Sequence, residues 1–131
     1  MKSKIFIPAV LLAAVVMFSG CGNVKKNEQV NMTNMKLIMT GVLMYACDNN
    51  DCYSNELNDL VAGGYMTDTM VYVSPSDKRA VKAAPGSKLT SKNTSYAYFG
   101  KGINMKFPLA DVPVLIVKPW SLAKGEKMLV G

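Results

Sequence analysis

The stretch VNMTNMKLIMTGVLMYAC, Val30 to Cys47, decides the fold of this chain. Its polar positions Thr33, Lys36 and Thr40 recur at steps of three and four, so a helix gathers them onto one narrow wet stripe. Met35, Ile38, Met39, Val42, Leu43 and Tyr45 occupy most of the remaining circumference. A helix this apolar has to be covered by something packed against it. Asp48-Asn49-Asn50-Asp51 ends it with residues that favour turns. Ser54 then reads as the N-cap of a short second helix, Asn55 to Ala62, with Glu56 near its positive end and Gly63-Gly64 closing it.

Beyond Gly64 the pattern becomes extended. Val71 to Ser74, Ser95 to Phe99 and Val114 to Val117 are rich in strand formers, and Met128-Leu129-Val130 is a stub of another strand. Pro75, Pro85, Pro108, Pro113 and Pro119 separate these runs, and Ala80 to Asn93 reads as a mobile surface loop. The expected class is α+β: one long helix covered by the apolar face of a small antiparallel sheet.

Upstream of Val30 the chain changes character twice. Residues 22 to 29, Gly-Asn-Val-Lys-Lys-Asn-Glu-Gln, are polar and read as a tether. Before them lie Lys2 and Lys4, an apolar run from Ile5 to Phe18, and Ser19-Gly20-Cys21. A basic start, an apolar stretch shorter than the roughly 20 residues of a bilayer span and small residues before a cleavage point describe an export signal. The Ser19-Gly20-Cys21 junction resembles the lipobox of bacterial lipoproteins. That resemblance implies residues 1–20 as a signal peptide, 21–29 as a tether and 30–131 as the globular domain. It also implies Cys21 as the new N-terminus, anchored to a membrane by lipid on its thiol. Gly22, rather than an acid, follows the cysteine, which by the same resemblance favours the outer membrane where a cell has two. An uncleaved helix, or ordinary secretion with Cys21 a bystander, are the alternatives.

Composition narrows the function classes. The chain has 131 residues, with 15 Lys and Arg against 9 Asp and Glu, a net charge of +6. Removal of Lys2 and Lys4 with a signal peptide leaves about +4, too mild to suggest a nucleic-acid groove. Lys25 and Lys26, beside the anchor, are placed to meet anionic headgroups. There is no histidine. Hydrolases built on an imidazole base, and most zinc and copper sites, therefore cannot be assembled here. The ten methionines read as core filler rather than a metal tract. No nucleophile paired with a base is visible, and the expectation is a protein that is not an enzyme, with no cofactor and no metal ligands. Tyr96 and Tyr98 with nearby carboxylates would at most line a small-ligand groove.

Downstream of Val30 the residues resemble a family, the pilin-like proteins whose heads are similar to the G-type major pseudopilin of type II secretion. Asn34 to Ile38 with Met44 to Asn50 looks like the family's helix end. Asn58 to Met66 resembles its second helix and Gly-Tyr turn, and Val73-Ser74-Pro75-Ser76-Asp77 its Cys-Pro-Ser-Asp strand end. Ser95 to Asn104, and Asp111-Val112-Pro113 with Lys118-Pro119, look like its later strands. The resemblance implies a non-catalytic structural or interaction role at the envelope. It departs at the start, where family members carry a glycine before the apolar helix and a glutamate within it, and this chain has neither. A lipid-anchored protein with a pseudopilin-like head is the first expectation; a degenerate minor pseudopilin that keeps its apolar helix and joins a secretion or pilus-like filament is the alternative. The acidic calcium loop of some pseudopilins has no counterpart here.

Cys47 and Cys52 bracket the Asp-Asn-Asn-Asp turn. In an exported protein two such thiols are candidates for a disulfide staple, worth roughly 2 kcal/mol for so short a loop. Free thiols and a redox pair are the other readings, the spacing not being Cys-x-x-Cys. Asp48, Asn50, Ser54 and Glu56 alternate faintly like a calcium loop, but Tyr53 stands where such a loop needs glycine, and a solvated turn is the expectation.

Overall fold

The computed structural model describes residues 3–107, 113–122, 124, 125 and 128, and side chains from residue 23 onward within that set. Its dominant element is helix α1, Ser3–Asp48. The helix expected from Val30 thus begins 27 positions earlier and runs through residues 22–29 without a break. Lys25, Lys26, Glu28 and Gln29 are good helix formers and no proline interrupts them, so the polar tether is itself helical.

The head covers only one side of α1. Asn31, Asn34, Met35, Ile38, Val42 and Ala46 are buried, which at 100° per residue is an arc of about 120°. Leu43, assigned to the covered positions by its pattern, is exposed, as are Val30, Met32, Leu37 and Met44. Of the methionines, Met35 lies in the core and Met39 and Met66 pack on it, but Met32, Met44, Met70 and Met128 are exposed. Core filling therefore accounts for only part of the methionine content.

Helix α1 ends at a turn in which Asn50 (φ 58°) and Asp51 (φ 62°) are left-handed, a conformation that Asn and Asp tolerate better than other side chains. The second helix, α2, is shorter than expected, Asn58–Ala62. Ser54 is not its cap: it is fully buried and bonded to Tyr98. The free amides of Asn55 and Glu56 instead donate to the Asp59 carboxylate, both at 3.0 Å. After α2 the amides of Gly64 and Tyr65 return to the carbonyls of Val61 and Leu60, a Schellman closure with Gly64 at φ +79°. Tyr65 then reaches back to α1, its hydroxyl donating to Asp48 at 2.9 Å and its ring meeting Tyr45 edge to face.

Two strands form the sheet, β1 (Tyr96–Tyr98) and β2 (Leu115–Val117), antiparallel with Tyr96 opposite Val117 and Tyr98 opposite Leu115. Tyr96, Leu115 and Val117 join Ile38, Val42, Leu57, Leu60, Val71 and Tyr72 in one core. The helix-on-sheet α+β arrangement is therefore present. Val71 to Ser74 is not a strand: Thr69–Tyr72 is a 3₁₀ turn, because the Asp68 side chain caps the amide of Met70, and only Val73 is extended, while Tyr72 and Ser74 bond to Ser95 just ahead of β1. The loop 80–93 is fastened rather than loose. Val81 and Lys92 are joined by a backbone bond, Asn93 donates to the Val81 carbonyl, and Ala83 and Leu89 are buried. The strand expected at Met128 to Val130 and the Asp111-Val112 piece lie outside the described residues, apart from Met128, which is not in a strand.

Candidate functional site

Cys21 falls on α1, and its side chain is outside the described set. Cys47 and Cys52 are both exposed and unbonded. The turn between them is held from three directions. The amides of Asn49 and Asp51 return to the Ala46 carbonyl, Tyr53 and Ile103 pair through their backbones, and Met105 donates to the Asp51 carbonyl at 2.7 Å. Asn104, bridged to Cys52 across this contact, donates from its side chain to the Cys52 sulfur and the Asn50 carbonyl. Lys106 pairs with Asp51 at 3.0 Å.

The tyrosines that suggested a ligand groove serve the interior. The Tyr96 hydroxyl donates to Asn31 Oδ1 at 2.9 Å and accepts from Asn34 Nδ2 at 3.1 Å, within the core. The Tyr98 hydroxyl donates to the Ser54 carbonyl and accepts from the Ser54 hydroxyl. Gly100 lies so close to it that any β-carbon there would collide with the Tyr98 hydroxyl. Burial pushes both phenols up to about 12, against a smaller opposing effect of the Asn34 and Ser54 hydrogen bonds. Neither is a phenolate near neutral pH. A cleft of about 240 Å³ does touch their rings together with Glu56, Asn58, Leu89 and Lys118. Its volume is below the ~300–1,000 Å³ of typical small-molecule sites. Among the described residues no three His, Cys, Asp or Glu side chains gather as a metal site. Asp48 and Ser54, from the faint calcium pattern, are taken by Tyr65 and Tyr98.

At the end of the head beside the start of its contact with α1, two groups stand out: Asp77, the last residue of the Val73-to-Asp77 piece, and a basic cluster beside it. Asp77 accepts four hydrogen bonds: the amides of Arg79 and Ala80 on one oxygen, the hydroxyls of Ser95 and Ser121, each at 2.7 Å, on the other. Partial burial works to raise its pKa, but these four donors outweigh burial and hold the carboxyl below the usual range. Next to it Arg79, Lys92, Lys118 and Trp120 line a shallow depression of about 220 Å³. Lys118 Nζ donates to the carbonyls of Ser91 and Thr94 and lies 5.9 Å from the Trp120 ring centre. Desolvation lowers its pKa, opposed by the attraction of Asp77. A signal for this cluster existed in the sequence: Lys78, Arg79, Lys82, Lys88 and Lys92 follow one another with no acid among them.

Among the described residues, no helix is long and apolar enough to cross a membrane. Comparison with protein-family models, curated proteins and solved structures finds no match to the chain.

Proposed function

We propose that the chain is an exported, lipid-anchored envelope protein that presents a pilin-like head and acts by contact rather than by catalysis. The observation that carries this reading is the Ser19-Gly20-Cys21 junction behind a basic start and a short apolar run, and the structure supplies its consequence, the distance from Cys21 to the head. Asn27 of α1 donates to Ser76 at 3.0 Å, and the helix rises only about 9 Å between positions 21 and 27. A lipid on Cys21 would therefore hold the head close to the membrane surface. The α+β architecture, the Gly63-Gly64-Tyr65 closure and the helix-on-sheet core support the pilin-like part of the reading. The partners are a membrane, through Cys21, and proteins of the envelope.

A second reading is favoured by one specific observation, the unbroken course of α1 from Ser3 to Asp48. In it the apolar segment is retained and the chain is a degenerate minor pseudopilin whose continuous helix enters a filament. Mass spectrometry of the mature N-terminus separates the two: a diacylglyceryl-modified Cys21 supports the first, an intact residue 1–20 segment the second. For the first, palmitate labelling should disappear in Cys21→Ser. Labelling that persists in that variant overturns the anchor.

A further inference from the structure

We propose that the anchor-side end of the head, built from Arg79, Lys92, Lys118 and Trp120 with Lys25 and Lys26 of α1, lies against an anionic phospholipid surface. The inference rests on the lipid-anchor reading and names the surface that the anchored head meets.

Charge is sorted along the chain. From Leu37 to Asp77 there are six acids and no basic residue; from Lys78 to Phe107 there are seven basic residues and no acid. Folding turns part of this sorting into an axis. The Asn27–Ser76 bond sets the 74–77 turn at the level of residue 27 of α1. Asp77 then gathers Ser95, Ser121 and the amide of Arg79 at that level, and the Lys118 amide bonds to the Ser95 carbonyl. Arg79, Lys92, Lys118 and Trp120 share one depression there. Asp48 and Asp51, by contrast, lie at or beyond the other end of α1, about 31 Å along the helix from Asn27. Lys106 has gone to that end, paired with Asp51.

Among the described residues Glu28 and Asp77 lie at the basic end, and Asp68 shares a cavity with Asp77 and Lys82; the six cations Lys25, Lys26, Lys78, Arg79, Lys92 and Lys118 outnumber them. Lys25, Lys26, Lys78, Arg79 and Lys92 are all exposed. The spacing suits a charged surface: Asn27 lies about 9 Å along the helix from Cys21, close to the Debye length of ≈ 8 Å at physiological salt. Trp120 is 58 % exposed beside these cations, and an indole at headgroup depth is the common anchor of a membrane interface. The cations are spread from Lys25 and Lys26 on α1 to Arg79 and Lys92 on the head, with Trp120 exposed among them, which favours an extended anionic surface over a single free anion.

Trp120 is the only tryptophan in the chain, so its fluorescence reports this face alone. The full-length, acylated protein is reconstituted in phosphatidylcholine vesicles with and without phosphatidylglycerol. Flotation with phosphatidylcholine alone that is lost in Cys21→Ser reports the anchor. Protein that does not float removes the anchor reading, and this inference with it. For protein that does float, phosphatidylglycerol should shift Trp120 emission to the blue and reduce acrylamide quenching, and high salt should reverse both. The variant Arg79→Glu with Lys92→Glu should float equally and lose the response; Lys25→Glu with Lys26→Glu, on an exposed helix face away from the core, should weaken it without touching the head. Floating protein whose emission is the same in both vesicles, or whose response survives both charge reversals, overturns this inference and leaves the anchor standing. A shift produced by soluble heparin but by neither vesicle assigns the patch to a soluble polyanion and equally overturns it.

Discussion

Replacing Asp77 by Asn tests whether one carboxylate, through four hydrogen bonds, ties its own turn to two other parts of the head. The carboxylate receives two amides from its own turn and two hydroxyls, Ser95 at the start of β1 and Ser121 after β2. An Asn side chain keeps one acceptor oxygen, which suits the Arg79 and Ala80 amides, and presents an NH₂ group where the two hydroxyls donate. Ser95 must then turn its hydroxyl while still accepting from the Ser74 amide at 2.9 Å. Hydrogen bonds to a charged group are worth about 1.5–3 kcal/mol each when shielded. Asp77 is only partly shielded, which reduces each to about 1 kcal/mol, or about 2 kcal/mol for the pair. Against a total stability of roughly 5–15 kcal/mol this is a visible loss, and for a domain of this size it lowers Tm by about 10 °C. The pH dependence gives a second, independent reading. Because the folded carboxyl titrates below its ordinary value, its contribution is complete above the unfolded pKa near 3.9 and disappears as pH falls through the lower, folded value. Urea melts of wild type and Asp77→Asn at pH 7 should therefore differ by about 2 kcal/mol, and the gap should close as the pH is taken below 4. Equal stability at pH 7, or a gap that persists unchanged in acid, refutes the argument.

Two further outcomes are open to direct measurement. Ile38→Asp places a carboxylate at a fully buried position in the core that Tyr96 and Val117 share, at a cost of several kcal/mol; the variant should fail to fold, and a soluble protein with a cooperative melt and wild-type far-UV signal would show that α1 is not packed on the sheet. Cys47 and Cys52, exposed and unbonded here, are expected to oxidise to each other in exported protein, so thiol titration should find neither reactive until reductant is added, and reduction should cost no more than about 2 kcal/mol. Two freely alkylated cysteines in unreduced extract exclude the bond.

The phase of α1 was readable because helical periodicity is a local property. Ile38 and Val42 recur at the spacing the core requires, and both are fully buried. What the spacing cannot say is how wide the covering layer is. A two-strand sheet with one 3₁₀ turn covers a narrow arc, so Leu43 and Leu37, apolar and helical like their neighbours, end up exposed. Strands β1 and β2 were legible from their tyrosines and aliphatics. Val71 to Ser74 carries a strand pattern, but Asp68, outside the run, captures the Met70 amide and winds the chain before the extended part begins. Ser54 was misassigned for a similar reason: a serine before a short helix is a capping signal, but here its hydroxyl meets Tyr98, 44 residues away. The Asp77 knot was invisible, since Ser95 and Ser121 stand 18 and 44 residues from it and serine in a sequence says nothing about which carboxylate it will meet.

The Tyr65 clasp bears on how the head assembles. Asp48, Leu60 and Tyr65 meet within 17 residues of chain, through the Schellman closure and the Tyr65 hydroxyl. Closing so short a loop costs little chain entropy, and contacts of this kind form early. The bonds from Tyr96 to Asn31 and Asn34 span 65 and 62 residues, and nothing local rewards them before the sheet is paired. A refolding chain would thus close α1, the turn and α2 before Tyr96 reaches Asn31 and Asn34. Destabilising changes around Tyr65 should then slow refolding, whereas those at Val117 should chiefly hasten unfolding.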